Sequence, residues 1–280
     1  MSKEVQDIDI TVMSFNIRGW SDRKQDGVNA WVSRAQFSTE TINKHAPYIA
    51  GLQEYDHRMN TPVFAEHLPH YERVNGPECV PDRYNPVLWT PSRLALVEHS
   101  GFWLSETPDQ KSIGWGSSEE RAATTVLFRD LQLGSQFLHV NTHFEVRVDQ
   151  ARIESARLIL QRTERYRRDG MPIVVTGDFN ASHYLAPNAV YTSTPHNLFT
   201  SEGFTDAFLH AHPNSPNPPY TFHDYEGREY KGDKYGSWLI DHILHRGFTQ
   251  RSYAILRDAQ TKEPKYPSDH YPIMAQLALS

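Results

Sequence analysis

The chain has 280 residues, a formal net charge of −6 and 38% hydrophobic residues. This composition predicts a folded globular protein and excludes a disordered one, and the length allows one large domain or two small ones. The negative charge argues against a protein whose overall field attracts nucleic acid, and the single cysteine excludes both an internal disulfide framework and a thiolate metal cluster.

Neither a membrane-spanning segment nor a signal peptide is expected. The longest apolar runs have the length of strands, well below the ~20 residues that span a bilayer. Residues 1–9 are polar and acidic and lead directly into a strand. We therefore expect a cytoplasmic protein in a reducing environment.

Hydrophobic periodicity predicts many strands with a few helices between them. In chain order, the expected elements are a strand at 8–16, a helix at 31–45, a strand at 48–53, a helix at 61–68, strands at 87–89, 94–104, 122–128 and 136–142, a helix at 149–168, a buried strand within 171–180, a short helix near 197–202, and strands at 220–223, 238–245 and 271–279. The aperiodic stretch 224–237 is predicted to be a long loop.

This order of elements indicates an α/β (α+β) fold in which one sheet packs on another with helices outside. No segment has the length or composition of a linker, so a single domain at 1–280 is expected. Phe-Asn pairs at 15–16 and 179–180 each close a strand, and the triplets at 142–144 and 269–271 are similar. These repetitions predict two similar halves that meet at one site.

Polar residues stand at the tips of six apolar segments. They are Asn16, Glu54, His143, Asp178 with Asn180, Asp241, and Asp269 with His270. One such residue is usually a turn former, but six tips that carry only Asn, Asp, Glu and His indicate a site. Hard oxygen ligands without cysteine suit Mg²⁺ or Mn²⁺, and the set provides what phosphate-ester hydrolysis needs. On an extended backbone, Asp178 and Asn180 would point to the same side.

These segments resemble the motifs of the endonuclease/exonuclease/phosphatase (deoxyribonuclease I-like) superfamily of metal-dependent phosphoesterases. In the family's order they are Met-Ser-Phe-Asn-Ile-Arg at 13–18, Leu-Gln-Glu at 52–54, Asn-Thr-His-Phe at 141–144, Thr-Gly-Asp-Phe-Asn at 176–180, Ile-Asp-His at 240–242 and Ser-Asp-His-Tyr-Pro at 268–272. Each motif is short, but together they span nearly the whole chain. The resemblance implies a four-layer αββα sandwich of two mixed, mainly antiparallel sheets with helices outside.

The resemblance also implies how a metal ion and water would be held. Glu54 is the expected principal metal ligand, with Asn16 and Asp269 nearby. Asp178 is expected to position or deprotonate the attacking water, and Asn180 to help hold the water and the phosphate.

Two histidines are implied as phosphate contacts. His270 would contact a phosphoryl oxygen and be oriented by Asp241, and His143 would be the second phosphate-binding histidine. A carboxylate paired with a histidine keeps it cationic near neutral pH, and a cation suits the charge of a phosphorane-like transition state.

Five further residues are candidate substrate contacts. Arg121 begins a strand and could clamp phosphate, although a structural arginine explains it equally well. Glu145 lies just after the third motif and could orient its histidine, or be a surface acid. Arg18 and Trp20 follow the first motif and could line the cleft. Trp238 could lie beside the substrate, although most tryptophans at a strand start are packing residues.

The expected substrate is a small phosphomonoester or phosphodiester, such as a nucleotide, a sugar phosphate or a lipid head group. The acidic balance disfavours long nucleic acid, which is usually bound through several Lys or Arg contacts. The alternative is a nuclease for short or single-stranded ends, with Trp103, Trp115, Tyr225 and Tyr235 stacking on bases. A non-enzymatic binding module is disfavoured because every motif acid is present, and no protein partner is predicted.

Overall fold

The computed structural model describes residues 9–76, 85–182, 194–213, 219–231 and 239–279. The strands are β1 Asp9–Asn16, β2 Ile49–Gln53, β3 Glu72–Val74, β4 Val87–Trp89, β5 Leu94–Trp103, β6 Ala122–Asp130, β7 Gln136–His143, β8 Ile173–Asp178, β9 Thr205–Asp206, β10 Asp241–Arg246, β11 Thr249–Ile255 and β12 Ile273–Ala278. The helices are α1 Arg23–Asp26, α2 Trp31–His45, α3 His57–His67, α4 Asp149–Arg162, α5 Glu164–Arg168, α6 Thr194–Ser201 and α7 Ala207–Ala211, with 3-10 turns at Gly27–Asn29 and Gly227–Glu229. Within these ranges, no helix has both the length and the apolar character needed to cross a membrane.

The strands form two six-stranded sheets. The first sheet has the order β11-β12-β1-β2-β4-β3, and the second has the order β5-β6-β7-β8-β10-β9. Each sheet contains one parallel pair, β1 with β2 and β7 with β8, and its other neighbours are antiparallel. A parallel pair needs a crossover connection, which α2 supplies in the first sheet and α4 in the second. The predicted mixed, mainly antiparallel sheets are confirmed.

The alternation along β1 contributes to two separate cores, because successive side chains of a strand point to opposite faces. Ile10 and Val12 pack between the sheets with Phe128 and Val174 of the second sheet. Phe15 faces the other way, into the core under α2 and α3.

The outer face of the second sheet is covered in the same manner. Ile159 of α4 and Phe199 of α6 are fully buried against it, in one cluster with Leu138 and Val175. Helices therefore lie on both outer faces, and the expected four-layer αββα sandwich is confirmed.

Two helices differ from their predicted spans because of side chains that bind the backbone. The helix expected at 149–168 is interrupted at Thr163, whose hydroxyl donates to the carbonyl of Ile159 at 2.8 Å, a contact that bends helices. Helix α3 begins at His57, before the predicted residue 61, because Asp56 caps it by accepting from the backbone N–H of Met59 at 2.8 Å.

One predicted strand is absent from the described chain. The segment 220–223 makes only an isolated antiparallel bridge between Phe222 and His270. Two backbone hydrogen bonds make this bridge, since Tyr271 N–H donates to the carbonyl of Thr221 and His223 N–H donates to the carbonyl of Asp269. The segment is therefore an irregular stretch of chain that lies beside the motif at 268–272.

A polar bridge joins the two sheets directly below their common edge. The side-chain amide of Gln53 donates to Asn141 Oδ1 at 2.8 Å, and Asn141 donates to the carbonyl of Leu52 at 2.8 Å. Gly51 allows this approach, because a Cβ there would lie 2.2 Å from Thr176 Oγ1 and 2.5 Å from Asn141 Oδ1. The carboxyl ends of both parallel pairs therefore meet at one edge of the sandwich.

Candidate active site

All eight motif residues lie at the edge where the parallel strands end. Glu54 keeps 16% of its side chain exposed, and the other seven are buried: Asn16, His143, Asp178, Asn180, Asp241, Asp269 and His270. The register explains the convergence, since Asn16 pairs with Gln53 in the first sheet, and Asp178 pairs with both His143 and Asp241 in the second.

The side chain of Asn16 links carboxylates from the two sheets. Its amide nitrogen donates to Glu54 Oε1 at 2.9 Å and to Asp178 Oδ2 at 3.0 Å. Its oxygen accepts from the backbone N–H of Arg18 at 3.0 Å. That hydrogen bond leaves the Asn16 oxygen a second lone pair, and the other oxygen donors on the first sheet's side of the site are those of Glu54 and Asp269.

A tight turn follows β8 and carries Asn180. Its φ is 46°, a left-handed conformation that asparagine tolerates better than most residues. Its backbone N–H donates to Asp178 Oδ1 at 2.9 Å, and its amide donates to the carbonyl of Phe144 at 3.0 Å. The expectation that Asp178 and Asn180 share one face of an extended strand is therefore wrong: the strand ends at Asp178, and the two residues are joined across the turn.

His270 and Asp241 form a buried pair. His270 Nδ1 lies 2.8 Å from Asp241 Oδ2, and its Nε2 lies 3.8 Å from Asp178 Oδ2. Burial alone would lower the pKa of His270, but the charges of Asp241, Asp178 and Asp269 and the hydrogen bond to Asp241 raise it to about 10. The ring is therefore an imidazolium whose Nε2 faces Asp178.

The carboxyl of Asp178 is the most centrally placed group of the site. Burial and the nearby charge of Asp241 raise its pKa, while the charge of His270 and the hydrogen bonds from Asn180 and Asn16 lower it. The net effect is a pKa raised to about 7. A carboxylate with such a pKa can take up a proton near neutral pH.

His143 faces the same carboxylate but in a neutral state. Its Nε2 lies 3.0 Å from the amide nitrogen of Asn180 and 3.5 Å from Asp178 Oδ2. Burial, together with the positive charges of Arg121 and His270, lowers its pKa well below the ordinary value. A neutral ring accepts from Asn180 at Nε2 and keeps its proton on Nδ1.

Arg18 is held among acids at the mouth of the site. Its Nε lies 2.8 Å from Asp26 Oδ2 and 3.3 Å from Asp269 Oδ2, and its guanidinium is 5.1 Å from the ring centre of Trp20. The indole N–H of Trp20 donates to Glu54. Sequence reasoning missed Asp26, because a lone acid in a loop carries no signal until the fold brings it to Arg18.

Arg121 and Glu145, two further candidate substrate contacts, lie close to each other at the side of the site. Arg121 is 9% exposed, with ion pairs to Glu119 at 3.0 Å and Glu145 at 3.8 Å. The carboxylate of Glu145 accepts from the Ser117 hydroxyl at 2.6 Å and the Ser118 N–H at 3.2 Å. Glu145 is thus neither a surface acid nor, by these contacts, the group that orients His143; it fixes the 117–118 turn beside Arg121.

A cleft of about 180 Å³ opens at the motif edge, and Arg18, Trp20, Glu54, Arg121 and His143 are among the residues that line it. Trp238 and Tyr235 lie outside the described residues.

A larger cavity, of about 990 Å³, lies elsewhere, between β5 and helices α4 and α5. It contains none of the motif residues, and its arginines pair with acids, as in Arg162 with Asp109 and Arg165 with Glu98. Trp115 lines this cavity and Trp103 is buried, so neither offers a stacking surface at the cleft.

The donors at the cleft fit a hard divalent cation. Glu54 and Asp269 present carboxylates on either side of Arg18, and hard oxygen donors without sulfur are the ligands that Mg²⁺ and Mn²⁺ prefer. Donor atoms of Asp178, Asp241 and His270 also lie within 4.8 Å of one another. In that second group the Asp241–His270 hydrogen bond already uses one donor atom of each residue.

Known proteins are similar to this chain in sequence and in fold. The sequence profile described as the Endonuclease/Exonuclease/phosphatase family matches residues 13–270. A structure of an endonuclease/exonuclease/phosphatase from Bacteroides vulgatus is 26% identical, with a TM-score of 0.80 over 98% of this chain and 100% of that one. A mannosyl-6-phosphatase structure from Bacteroides thetaiotaomicron is 25% identical, with a TM-score of 0.77 over 96% of this chain and 99% of that one.

A viral relative is also similar. An uncharacterized protein of Acanthamoeba polyphaga mimivirus is 26% identical over 183 residues, which cover 62% of this chain and 68% of the relative. The match across residues 13–270, together with the αββα sandwich, shows that this chain belongs to the Endonuclease/Exonuclease/phosphatase family.

Proposed function

We propose that this chain is a divalent-metal-dependent phosphoesterase that hydrolyses a small-molecule phosphate ester by in-line attack of an activated water. Members of the family are phosphoesterases or nucleases, which supports hydrolysis of phosphate ester bonds. The observation that carries the proposal is Asp178, a buried carboxylate with a pKa raised to about 7 that lies among Asn16, His143 and His270.

In this proposal Asp178 is the general base. It accepts the proton of the attacking water, a role that favours a pKa near the working pH. Asn16 fixes one of its oxygens from the first sheet, and the backbone N–H of Asn180 fixes the other. The carboxylate therefore needs no rearrangement to receive the proton.

The two histidines stabilise the charge that develops on the phosphoryl oxygens. His270 contributes a positive charge that Asp241 holds in place. His143 contributes its Nδ1 proton, because Asn180 already binds its Nε2. Fixed donors in a buried site are effective because they are already oriented before charge develops.

Glu54 and Asp269 would hold the cation, Mg²⁺ or Mn²⁺, with Asn16 keeping the Glu54 carboxylate in place. When bound, such an ion polarises a phosphoryl oxygen as a Lewis acid. Arg18 would add a positive charge beside the same carboxylates.

Three features support a small substrate over nucleic acid. The cleft is about 180 Å³ and is lined by Glu54, Glu119 and Glu120 as well as by arginines. Arg18 and Arg121 both form ion pairs with carboxylates, whereas nucleic-acid binding relies on several basic side chains that contact phosphates. The relative named mannosyl-6-phosphatase supports a sugar phosphate as the first compound to test.

The reaction class is tested by hydrolysis of an aryl phosphodiester with Mg²⁺ or Mn²⁺, before and after chelation. We expect activity that requires the metal and is abolished by Asp178→Asn. Asp130→Asn is the matched control, since Asp130 is also buried but lies at the far end of β6, paired with Arg93. Full activity without divalent metal, or in Asp178→Asn, would contradict the mechanism.

The substrate class is tested by a panel that compares sugar phosphates, nucleotides, lipid head groups and single-stranded oligonucleotides. We expect the highest kcat/KM among the small esters. If oligonucleotides were by far the best substrates, the small-molecule part of the proposal would be wrong while the mechanism would stand.

A further inference from the structure

A fully buried arginine, Arg34, lies behind the motif edge, and the roles proposed above leave it without a function. It is 0% exposed and is the fourth residue of α2, which begins at Trp31. Its guanidinium lies 5.4 Å from the ring centre of Trp31 and 5.8 Å from that of Tyr225. In the described part of the chain it makes no ion pair with a carboxylate, so backbone dipoles meet its charge.

All five N–H groups of the Arg34 guanidinium are used. Nε donates to the carbonyl of Asn29 at 2.7 Å, and Nη1 donates to those of Ile17 at 2.5 Å and Pro267 at 3.0 Å. Nη2 donates to the carbonyl of Arg18 and, at 3.1 Å, to the hydroxyl of Ser21. A planar fork with five donors is suited to such a fixed set of acceptors, and no other side chain offers it.

These acceptors belong to two loops far apart in sequence. One loop follows Asn16 and carries Arg18, and the other connects β11 to β12 and carries Asp269 and His270. Two further contacts join the same loops: Ser38 of α2 donates to the carbonyl of Pro267 at 2.6 Å, and Ser268 donates to the carbonyl of Asn16 at 2.7 Å. Arg34 thus lies at the centre of a junction between the first and last motifs.

We infer that Arg34 is a positioning residue of the active site. The loop after Asn16 is tied to the end of β2, because Gly19 N–H donates to the carbonyl of Glu54 at 2.8 Å. By holding that loop and the loop that carries Asp269 at a fixed separation, Arg34 sets the spacing of the cation ligands Glu54 and Asp269. The inference rests on the proposed function, because it assigns a purpose to that spacing. Arg34 touches neither substrate nor reacting atoms and acts only through the loops.

The other crossover helix, α4, carries a buried arginine that can be compared with Arg34 of α2. Arg152 is the fourth residue of α4, which begins at Asp149, and it is also buried. It donates to the carbonyls of Glu145 and Val146, in the loop that follows β7, and to Asp149 on its own helix. The described hydrogen bonds of Arg152 outside its own helix go to one loop, whereas those of Arg34 go to two.

The test compares Arg34→Lys with wild type. Lysine keeps the charge but replaces the five-donor fork with a flexible ammonium. We expect Mn²⁺ affinity, measured by electron paramagnetic resonance titration, to fall about tenfold to a hundredfold, as for other residues that orient metal ligands. We also expect kcat on the aryl phosphodiester to fall with little change in KM, and amide hydrogen exchange to rise in both 17–21 and 267–270.

Two further variants keep the test decisive. Ser38→Ala removes one bond to Pro267 and should shift affinity and exchange in the same direction by less, so it decides the question if Arg34→Lys does not fold. Arg93→Lys alters another buried arginine, paired with Asp130 away from the site, and should lower Tm without changing Mn²⁺ affinity.

The outcomes separate this inference from the proposed function. Unchanged exchange in either loop of a folded Arg34→Lys protein, or an equal loss of Mn²⁺ affinity in Arg93→Lys, would overturn the role of Arg34 whatever the wild-type activity. A wild-type protein without metal-dependent hydrolysis would instead refute the proposed function.

Discussion

The two crossovers, β1-α2-β2 in the first half of the molecule and β7-α4-β8 in the second half, place their strand ends alike, but the acids at those ends differ in burial. The first strands end at Asn16 and His143, and the second strands end at Gln53, just before Glu54, and at Asp178. Glu54 retains 16% exposure at the cleft. Asp178 is buried with a raised pKa. The strand topology thus determines where each acid lies. The burial of the acid shifts its pKa, and the pKa determines whether the acid is suited to bind a cation or to accept a proton.

The halves also differ in what holds their loops. Arg34 fixes the first half through a permanent charge. In the second half, the turn after Asn180 is held by His242, whose Nε2 lies 2.9 Å from the carbonyl of Ala181 and whose Nδ1 lies 3.0 Å from Asp206 Oδ2. His196 Nε2 lies 3.1 Å from the same oxygen of Asp206. The loop after Asn16 is therefore held by a group that does not titrate, and the turn after Asn180 by groups that do.

The largest effect is expected from exchanging the acids of the two halves for amides. Asp178→Asn should lower kcat about a thousandfold or more, because a general base contributes up to ~10⁴-fold, and added metal should not restore it. Glu54→Gln should lose activity that returns in part as Mg²⁺ or Mn²⁺ is raised. Steady-state rates over a metal titration measure both. If added metal restored the activity of Asp178→Asn, the proposed difference between Asp178 as base and Glu54 as metal ligand would be wrong.

The next effect concerns stability. Asp206→Asn leaves His242 and His196 without their shared carboxylate, and breaking a buried pair costs about 3 kcal/mol. Burial by itself would raise the pKa of Asp206, but the hydrogen bonds from His196 and His242 lower it overall. Burial by itself would lower the pKa of His242, but Asp206, the Ala181 carbonyl and Asp241 raise it overall. We expect a fall in Tm relative to wild type.

The pH dependence of that fall follows from the signs of the two shifts. The lowered pKa of Asp206 gives stability that is complete above about pH 4 and lost in acid. The raised pKa of His242 gives stability that is complete below about pH 6.5 and lost as the pH rises. The difference in Tm should be largest between these values and smaller at pH 9. Arg34→Lys should show no such dependence, and a flat profile for Asp206→Asn would contradict the contrast.

A smaller effect is expected at the end of β7. His143→Ala should lower kcat about a hundredfold, which is the loss on removing one fixed donor to a developing charge. Because His143 is neutral, its contribution should not disappear as the pH rises from 6 to 8. The measurement is kcat over that range. His139→Ala serves as a control, since His139 is also buried on β7 but bonds Thr176.

The smallest effect is expected at the cleft wall. Arg121→Gln should raise KM about tenfold with a minor change in kcat, since a hydrogen bond to a charged group is worth about 1.5–3 kcal/mol. Arg129→Gln is the control, since Arg129 is exposed near the other end of β6, the strand that Arg121 immediately precedes. An unchanged KM would assign Arg121 to structure alone, as the partner of Glu119 and Glu145.

The sequence was sufficient for the central strands, the sandwich and the motif tips, because each carries a local pattern. It did not predict β3, β9 or β11, and the strand predicted at 220–223 is only an isolated bridge. It could not place Asp26 beside Arg18 or Glu145 beside Ser117, because those contacts join loops without any pattern. The repeated Phe-Asn pairs predict two halves, yet the topology matches Asn16 with His143, since short repeats do not encode strand order. Arg34 and Arg152 are the more informative repeat, and only the helix starts reveal it.

The central claim is that Glu54 and Asp269, at the edge of the first sheet, bind the cation, whereas Asp178, at the edge of the second sheet, accepts the proton. Its most direct test is Mn²⁺ affinity, measured by electron paramagnetic resonance titration of Glu54→Gln and Asp178→Asn under one set of conditions. We predict a weakening of about tenfold or more in Glu54→Gln and near wild-type affinity in the inactive Asp178→Asn. Equal loss of Mn²⁺ affinity in both variants would contradict the claim.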